Sequence, residues 1–187
     1  MKSYFIILIA LALTSGLYAQ KNEKELTRKE KRELKKKEDA KLSEAMAKVL
    51  SLAIDSQLWV LEANTLSNKY GRSVPVNSNL NFIAIEKDEA FIQLGSNSGL
   101  GPNGVGGVSV RAKINKYEVK RNEKKGNYYI HIYTSSAIGS WDIRIDSNKD
   151  GTIASATVQG NTSTRVNYQG TIVPVGQSRV YKGTPVI

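Results

Sequence analysis

The sequence predicts a mainly β domain led by one N-terminal helix: a curved antiparallel meander sheet or partial barrel of about eight strands. Three observations predict it. Between Gly126 and Val158, three runs (127–134, 140–146 and 152–158) follow one another through short turns, and in the middle one Trp141, Ile143 and Ile145 alternate with Asp142, Arg144 and Asp146. A period of two gives one apolar and one wet face. Secondly, one stretch carries good helical spacing, with Leu42, Ala45, Met46, Val49, Leu50 and Ala53 falling on a single face. Thirdly, from Gln57 onward, strand-like runs are broken repeatedly by Gly, Pro, Asn and Asp. An open sheet of this size exposes its edges, so it must curve or close. The helix is expected to pack its stripe against one face or one opening.

Taken in order, the chain starts with Lys2, a nearly unbroken apolar run at 4–13, and small residues ending Leu17-Tyr18-Ala19. This is the pattern of a signal peptide spanning 1–19, cleaved after Ala19; a spanning helix needs ~20 apolar residues, and this run is shorter. The expectation is an exported protein, periplasmic or secreted, with no transmembrane segment after cleavage. No cysteine follows the cleavage site, so a lipoprotein anchor is unavailable. Residues 20–40 are a charged spacer in which only Leu26 and Leu34 are large and apolar; Glu25/Lys29 and Glu33/Lys37 sit at i,i+4 in the helix-supporting order. The segment reads as a solvated helix or a disordered linker, and residues 21–39 are a candidate contact for an anionic envelope surface.

The β-rich domain is expected over 41–173. A first strand runs 58–66, a loop 67–79, and a hairpin pairs 80–85 with 90–94 through Glu86-Lys87-Asp88-Glu89. A glycine-dense loop follows at 95–107. Val108, Val110, Ala112 and Ile114 then alternate with polar residues, but the apolar parity shifts to Tyr117 and Val119, which predicts a bulge or break near Asn115-Lys116. The last strand is 165–171, and 174–187 is expected as a C-terminal tail.

Composition excludes several chemistries. The 187 residues contain no cysteine, so disulfides, thiol catalysis and thiolate metal sites are out. The formal net charge of +10 is spread as +1 over 1–20, +4 over 21–50 and +5 over the rest. The basic run is interleaved with acids and lacks stacking aromatics, which argues against a nucleic-acid partner. No serine stands in a nucleophile-elbow motif, so a hydrolase has the least support and the protein is expected to be non-enzymatic.

Three candidate sites remain. Tyr129, His131 and Tyr133 alternate with Ile130 and Ile132, so His131, the single histidine, shares a face with Asp142 and Arg144 on the next strand. Such a cluster can bind an anion or move a proton; alternation alone also produces a plain polar sheet surface. Gly99, Gly101 and Gly104 literally match G-x-G-x-x-G, but Pro102 lies inside the motif and a strand pattern follows, so a loop or lid is preferred to a dinucleotide site. Asp146, Asn148 and Asp150 followed by Gly151 match the front of a calcium loop. Thr157 stands where the closing glutamate belongs and Lys149 adds positive charge. A β-turn explains the same residues, and a low-affinity Ca²⁺ site is the alternative; no other cofactor is implied. Asn161-Thr162-Ser163 fits a glycosylation sequon, without meaning in a bacterial exported protein.

The succession of signal peptide, charged spacer, helix, QLWVLEANTL, LNFIAIEKDEAFIQLG, a glycine-rich loop, YYIHIYTSS, WDIRIDSNKDGTIASATV and VNYQGTIVP resembles a family of small exported Bacteroidetes proteins known as domain of unknown function 4251. The likeness covers roughly 42–174, and Tyr168-Gln169-Gly170 with Pro174 is its most typical part. The resemblance implies an envelope location and a β-rich fold, and carries no activity or catalytic residue. The function expected is a non-enzymatic envelope binding module for a small ligand or protein partner. The alternative is a structural or assembly factor working through its basic segment.

Overall fold

The computed structural model describes residues 27–96, 102–161 and 165–186. The segment expected as a signal peptide, the start of the expected spacer, Gly99, Gly101 and the sequon's Thr162 and Ser163 lie outside them. The chain divides into two compact units, 1–41 and 42–187. One helix, α1 (Arg28–Asp55), is followed by nine strands: β1 (Leu58–Asn68), β2 (Ser73–Pro75), β3 (Phe82–Glu86), β4 (Glu89–Leu94), β5 (Val108–Arg121), β6 (Tyr128–Ser136), β7 (Gly139–Ser147), β8 (Ala154–Gly160) and β9 (Arg165–Pro174). In the first unit, Thr27 and Glu30 form a reciprocal capping box: the Thr27 amide donates to Glu30 Oε2 (2.8 Å) and the Glu30 amide to Thr27 Oγ1 (3.3 Å). The charged segment from Arg28 is therefore helical, one of the two readings its i,i+4 pairs allowed.

The strands pair antiparallel in sequence order, and β1 pairs with β9 along nearly its whole length, from Trp59↔Pro174 to Asn68↔Val166. That last pairing closes eight strands into a barrel; β2 adds to the edge of β1 beyond β3. Closure removes the open edges that the sequence left unresolved. The expected parity break in β5 is a register shift between Ile114 and Lys116, so Tyr117 turns inward as the strand bends from β4 to β6. At Gly170 the walls approach too closely for a side chain: an added Cβ would collide with the Glu62 carbonyl.

Inward-facing Trp59, Leu61, Ile83, Ile85, Ile130, Ile132, Ile143, Ile145 and Tyr168 fill the barrel. The plug at one end is the C-terminal part of α1. Leu50 and Ile54 are buried with this core, and Leu50 packs against Gly151 in the β7–β8 turn. The helical stripe differs from the one expected. Leu42, Met46 and Val49 are 61%, 37% and 41% exposed, whereas Ser43 and Ala47 are half-buried and Leu50, Ala53 and Ile54 buried. The contact row runs 43, 47, 50, 54. It wins because small Ser43 and Ala47 permit close approach, and Ser43 Oγ donates to Asp150 Oδ2 at 2.6 Å.

The expected C-terminal tail forms, over 174–186, a strap along the barrel wall. A 3₁₀ turn (Val175–Gln177) leads into backbone bonds from Tyr181 to the Asn79 carbonyl, Thr184 to that of Asn103 and Val186 to that of Ser109. Val175 and Val180 cover outward-facing Val60, Phe82, Ala84 and Phe91. This is why β1, β3 and β4 are buried on both faces and read as continuous apolar runs. Beside it, Gln93 is wholly buried and satisfied four times: Nε2 donates to the carbonyls of Leu80 (3.1 Å) and Tyr181 (2.8 Å), while Oε1 accepts from Ser109 Oγ (2.7 Å) and the Gly183 amide (2.8 Å). Asn103 extends the network into the glycine-rich loop. Its amide nitrogen donates to the Leu94 carbonyl and Ser109 Oγ, and its oxygen accepts from the amides of Val105 and Gly107.

Candidate functional site at the barrel mouth

The end of the barrel opposite α1 is hollow. An apolar pocket of about 250 Å³ lies there, larger than the ~150 Å³ cavity known to admit benzene in an apolar core. Ile92 and Leu94 of β4, Val110 of β5, Val158 of β8 and Val166 of β9 wall it. Tyr168 is its most buried side, and Val108, 43% exposed, sits at the rim. Each of these residues is an inward position near the mouth end of its strand, where side chains from opposite walls no longer meet. Gly160 removes one further side chain next to Trp141, whose indole closes that flank. The Tyr168 hydroxyl is turned away to the Gln93 carbonyl (3.4 Å), and burial pushes its phenol pKa up, so it stays neutral.

Leu94 and Val166 also line an adjoining cleft of about 690 Å³, where β1 and β2 face the roots of the β4–β5 loop. Arg72, Val74 and Leu66 lie along it, opposite Gly95 and Gly107. The cleft exists because β3 starts at Phe82, opposite Glu62, and leaves the last turn of the barrel wall to three-residue β2.

The residues singled out from the sequence lie elsewhere. Tyr129, His131, Tyr133, Asp142 and Arg144 come together on the outer wall, with His131 opposite Arg144 and Tyr133 opposite Asp142. His131 Nε2 is 3.1 Å from Asp142 Oδ1, Arg144 Nη2 donates to Asp142 Oδ2 at 3.1 Å, and His131 Nδ1 is 3.9 Å from Glu118 Oε2. The Tyr133 ring stands 4.5 Å from the imidazole, centroid to centroid. The hydrogen bond and charge of Lys116 hold Glu118 below the usual carboxylate range. The cluster is charge-paired within itself. Arg144, bonded to Asp142, is 51% accessible, and Lys116, bonded to Glu118, is 55% accessible.

Asp146, Asn148 and Asp150 do not converge. Asp146 lies on the outer face opposite Tyr129. Asn148 Oδ1 accepts from the Ile153 amide (3.1 Å), and Asp150 Oδ1 accepts from Thr152 Oγ1 (2.7 Å). Burial of Asp150 opposes its ionisation, but the bonds from Ser43, Thr152 and Asn148 outweigh it and hold the carboxyl below its ordinary value. These bonds build a turn that also ties down α1. Among the described residues, no group of three or more His, Asp or Glu side chains stands close enough to hold a metal ion. Gly104, at φ +73°, lies in the described part of the glycine-rich loop, with open space around it; its left-handed backbone supports a turn.

The lining of the mouth went unread in the sequence because Leu94, Val108, Val158 and Val166 look like ordinary core alternation. One signal was present: among the described residues, no connection at this end of the barrel carries an acidic residue.

A closed eight-stranded antiparallel barrel, plugged by a helix at one end and hollow at the other, defines a small β-barrel of the size that either fills its interior or holds one small ligand. More specifically, the chain belongs to the family described as Domain of unknown function (DUF4251), whose model matches residues 40–172. It is similar to the crystal structure of a DUF4251 family protein from Bacteroides eggerthii DSM 20697, with 26% identity and a TM-score of 0.60 over 72% of this chain and 91% of that one. No curated protein matches. Among the described residues, no helix is long and apolar enough to cross a membrane.

Proposed function

We propose that this protein is an exported, non-enzymatic binding module of the cell envelope, and that the barrel mouth is where it takes a small apolar ligand. The observation that carries the reading is the mouth pocket: about 250 Å³ walled by aliphatic side chains, bounded by Trp141 and Tyr168, with Leu94 and Val166 shared with an open cleft. Ligand sites are concave, mostly apolar and common at barrel mouths. The export part rests on the pattern of residues 1–19, and residues 21–39 serve as the spacer from the envelope surface. The outer-wall cluster of Tyr129, His131, Tyr133, Asp142 and Arg144 is a secondary contact surface, because its charges already satisfy one another.

Native mass spectrometry on protein purified gently, without detergent, from its own cell envelope tests this. A reproducible extra mass of a small molecule, lost when Gly160 is replaced by leucine to fill the mouth, is the expected result. A bare chain mass in every preparation, with a partner protein co-purifying instead, would overturn it.

A further inference from the structure

We infer that the ligand is a single-chain amphiphile with an anionic head: its alkyl tail lies in the mouth pocket and its head at Arg72, within the field of the rim cations Lys69 and Arg165. This rests on the reading of the mouth as a binding site and adds the chemistry of what enters.

The charge at the two ends of the barrel differs. Among the described residues, the connections at the mouth (69–72, 76–81, 95–96, 102–107, 137–138 and 161) contain no Asp or Glu, and their only charged residues are Lys69 and Arg72; Arg165 opens β9. The turns at the other end are mixed, with Lys87-Asp88, Glu123 beside Lys124 and Lys125, and Lys149-Asp150. A rim of one sign around an apolar hollow focuses its field outward and raises the local concentration of the opposite charge.

Position makes the three cations relevant to the pocket. Arg72 lines the cleft that shares Leu94 and Val166 with the mouth. Lys69 and Arg165 line a recess with Tyr70 and Gln159 on the outer side of the same rim, since Arg165 and Gln159 precede inward-facing Val166 and Gly160 and so point outward; they add their charge to the rim without lining the pocket. None of the three belongs to a salt bridge among the described residues; the pairs there use Lys48, Lys116, His131, Arg144 and Lys182. Arg72 and Arg165 are exposed and present guanidinium forks suited to carboxylate or phosphate.

Geometry selects one chain over two. The pocket is small, about 250 Å³, while the cleft beside it, about 690 Å³, is lined by Leu66, Val74 and Leu94 together with Arg72. One tail fills the small pocket, and the adjoining cleft offers apolar side chains and a cation to the rest of the molecule. A neutral apolar molecule would use the pocket and ignore the rim; a cationic amphiphile would be repelled by it.

Calorimetric titration of the purified full chain tests this, using dodecanoate, dodecyl phosphate, dodecanol and dodecyltrimethylammonium below their micellar concentrations. Either anion is expected to bind at least tenfold more tightly than dodecanol, the cation not at all, and whichever anion is tighter identifies carboxylate or phosphate as the head. Shortening dodecanoate by two carbons should weaken binding roughly tenfold, as two unburied methylenes require. The double variant Arg72→Gln/Arg165→Gln should bring the anion-to-alcohol ratio to about one and leave dodecanol binding as it was. Gly160→Leu should abolish all binding; an added Cβ there meets only Trp141, at 3.5 and 3.7 Å, so the barrel tolerates the change. Equal binding of dodecanol and both anions overturns the head-group assignment while leaving the mouth reading intact. Binding unaffected by Gly160→Leu in a folded variant, or no binding of any chain, overturns both.

Discussion

Replacing Leu50 by alanine removes the residue with which α1 plugs the barrel. Leu50 is 2% exposed, and its methyl carbons stand 3.2 and 3.4 Å from where a Cβ on Gly151 would lie. The substitution withdraws three buried carbons, worth roughly 2.4 kcal/mol at ~0.8 kcal/mol each. The barrel wall cannot collapse onto the gap, so a cavity term brings the loss to about 3–4 kcal/mol. For a chain of this size that is a fall in Tm of roughly 6–16 °C. Leu42→Ala is the matched control. It lies on the same helix and makes the same change of helix propensity, but Leu42 is 61% exposed, so its cost should stay under about 0.5 kcal/mol. Urea unfolding followed by far-UV circular dichroism measures both. Equal losses for the two variants would refute the contact row through 43, 47, 50 and 54 and restore the one through Leu42, Met46 and Val49.

Two further substitutions test other contacts. Gln93→Leu orphans the Gly183 amide and the carbonyls of Leu80 and Tyr181; with each buried orphan costing ~1–3 kcal/mol, a total loss of at least about 3 kcal/mol is expected. Hydrogen exchange should report lost protection of the Gly183 and Thr184 amides before the barrel strands open. Tyr117 accepts from Trp59 Nε1 (2.9 Å) and donates to the Ile54 carbonyl (3.0 Å), and burial raises its pKa from 10.0 to about 12. A pKa raised on folding means that its contribution is complete below pH 10 and is lost as pH rises towards about 12. Tyr117→Phe should therefore be less stable than the native chain at pH 8, and the difference should shrink between pH 10 and 12 in alkaline melts. A constant difference across that window would refute the assignment.

Much of the fold is legible in residue order because it depends on near neighbours. The alternation in β6 and β7 places Ile130, Ile132, Ile143 and Ile145 inside and sets His131 beside Asp142 and Arg144, since period and antiparallel pairing leave no other arrangement. The parity shift at Asn115 announces its own bulge. The resemblance carried by Tyr168-Gln169-Gly170 and Pro174 points to the family whose model matches the chain. What residue order could not express are contacts between distant segments. Closure depends on β1 meeting β9, more than a hundred residues later, with Gly170 permitting the approach. The last residues look like a tail because their apolar positions are few, and become a strap once Gln93 and Phe91 give them partners. The helix face was misread because Leu42 and Met46 are more hydrophobic than Ser43 and Ala47, yet a crowded barrel end selects small side chains over greasy ones. The mouth pocket is space left where strand ends diverge. A void has no residue of its own, so it arises only when all eight strands stand in place.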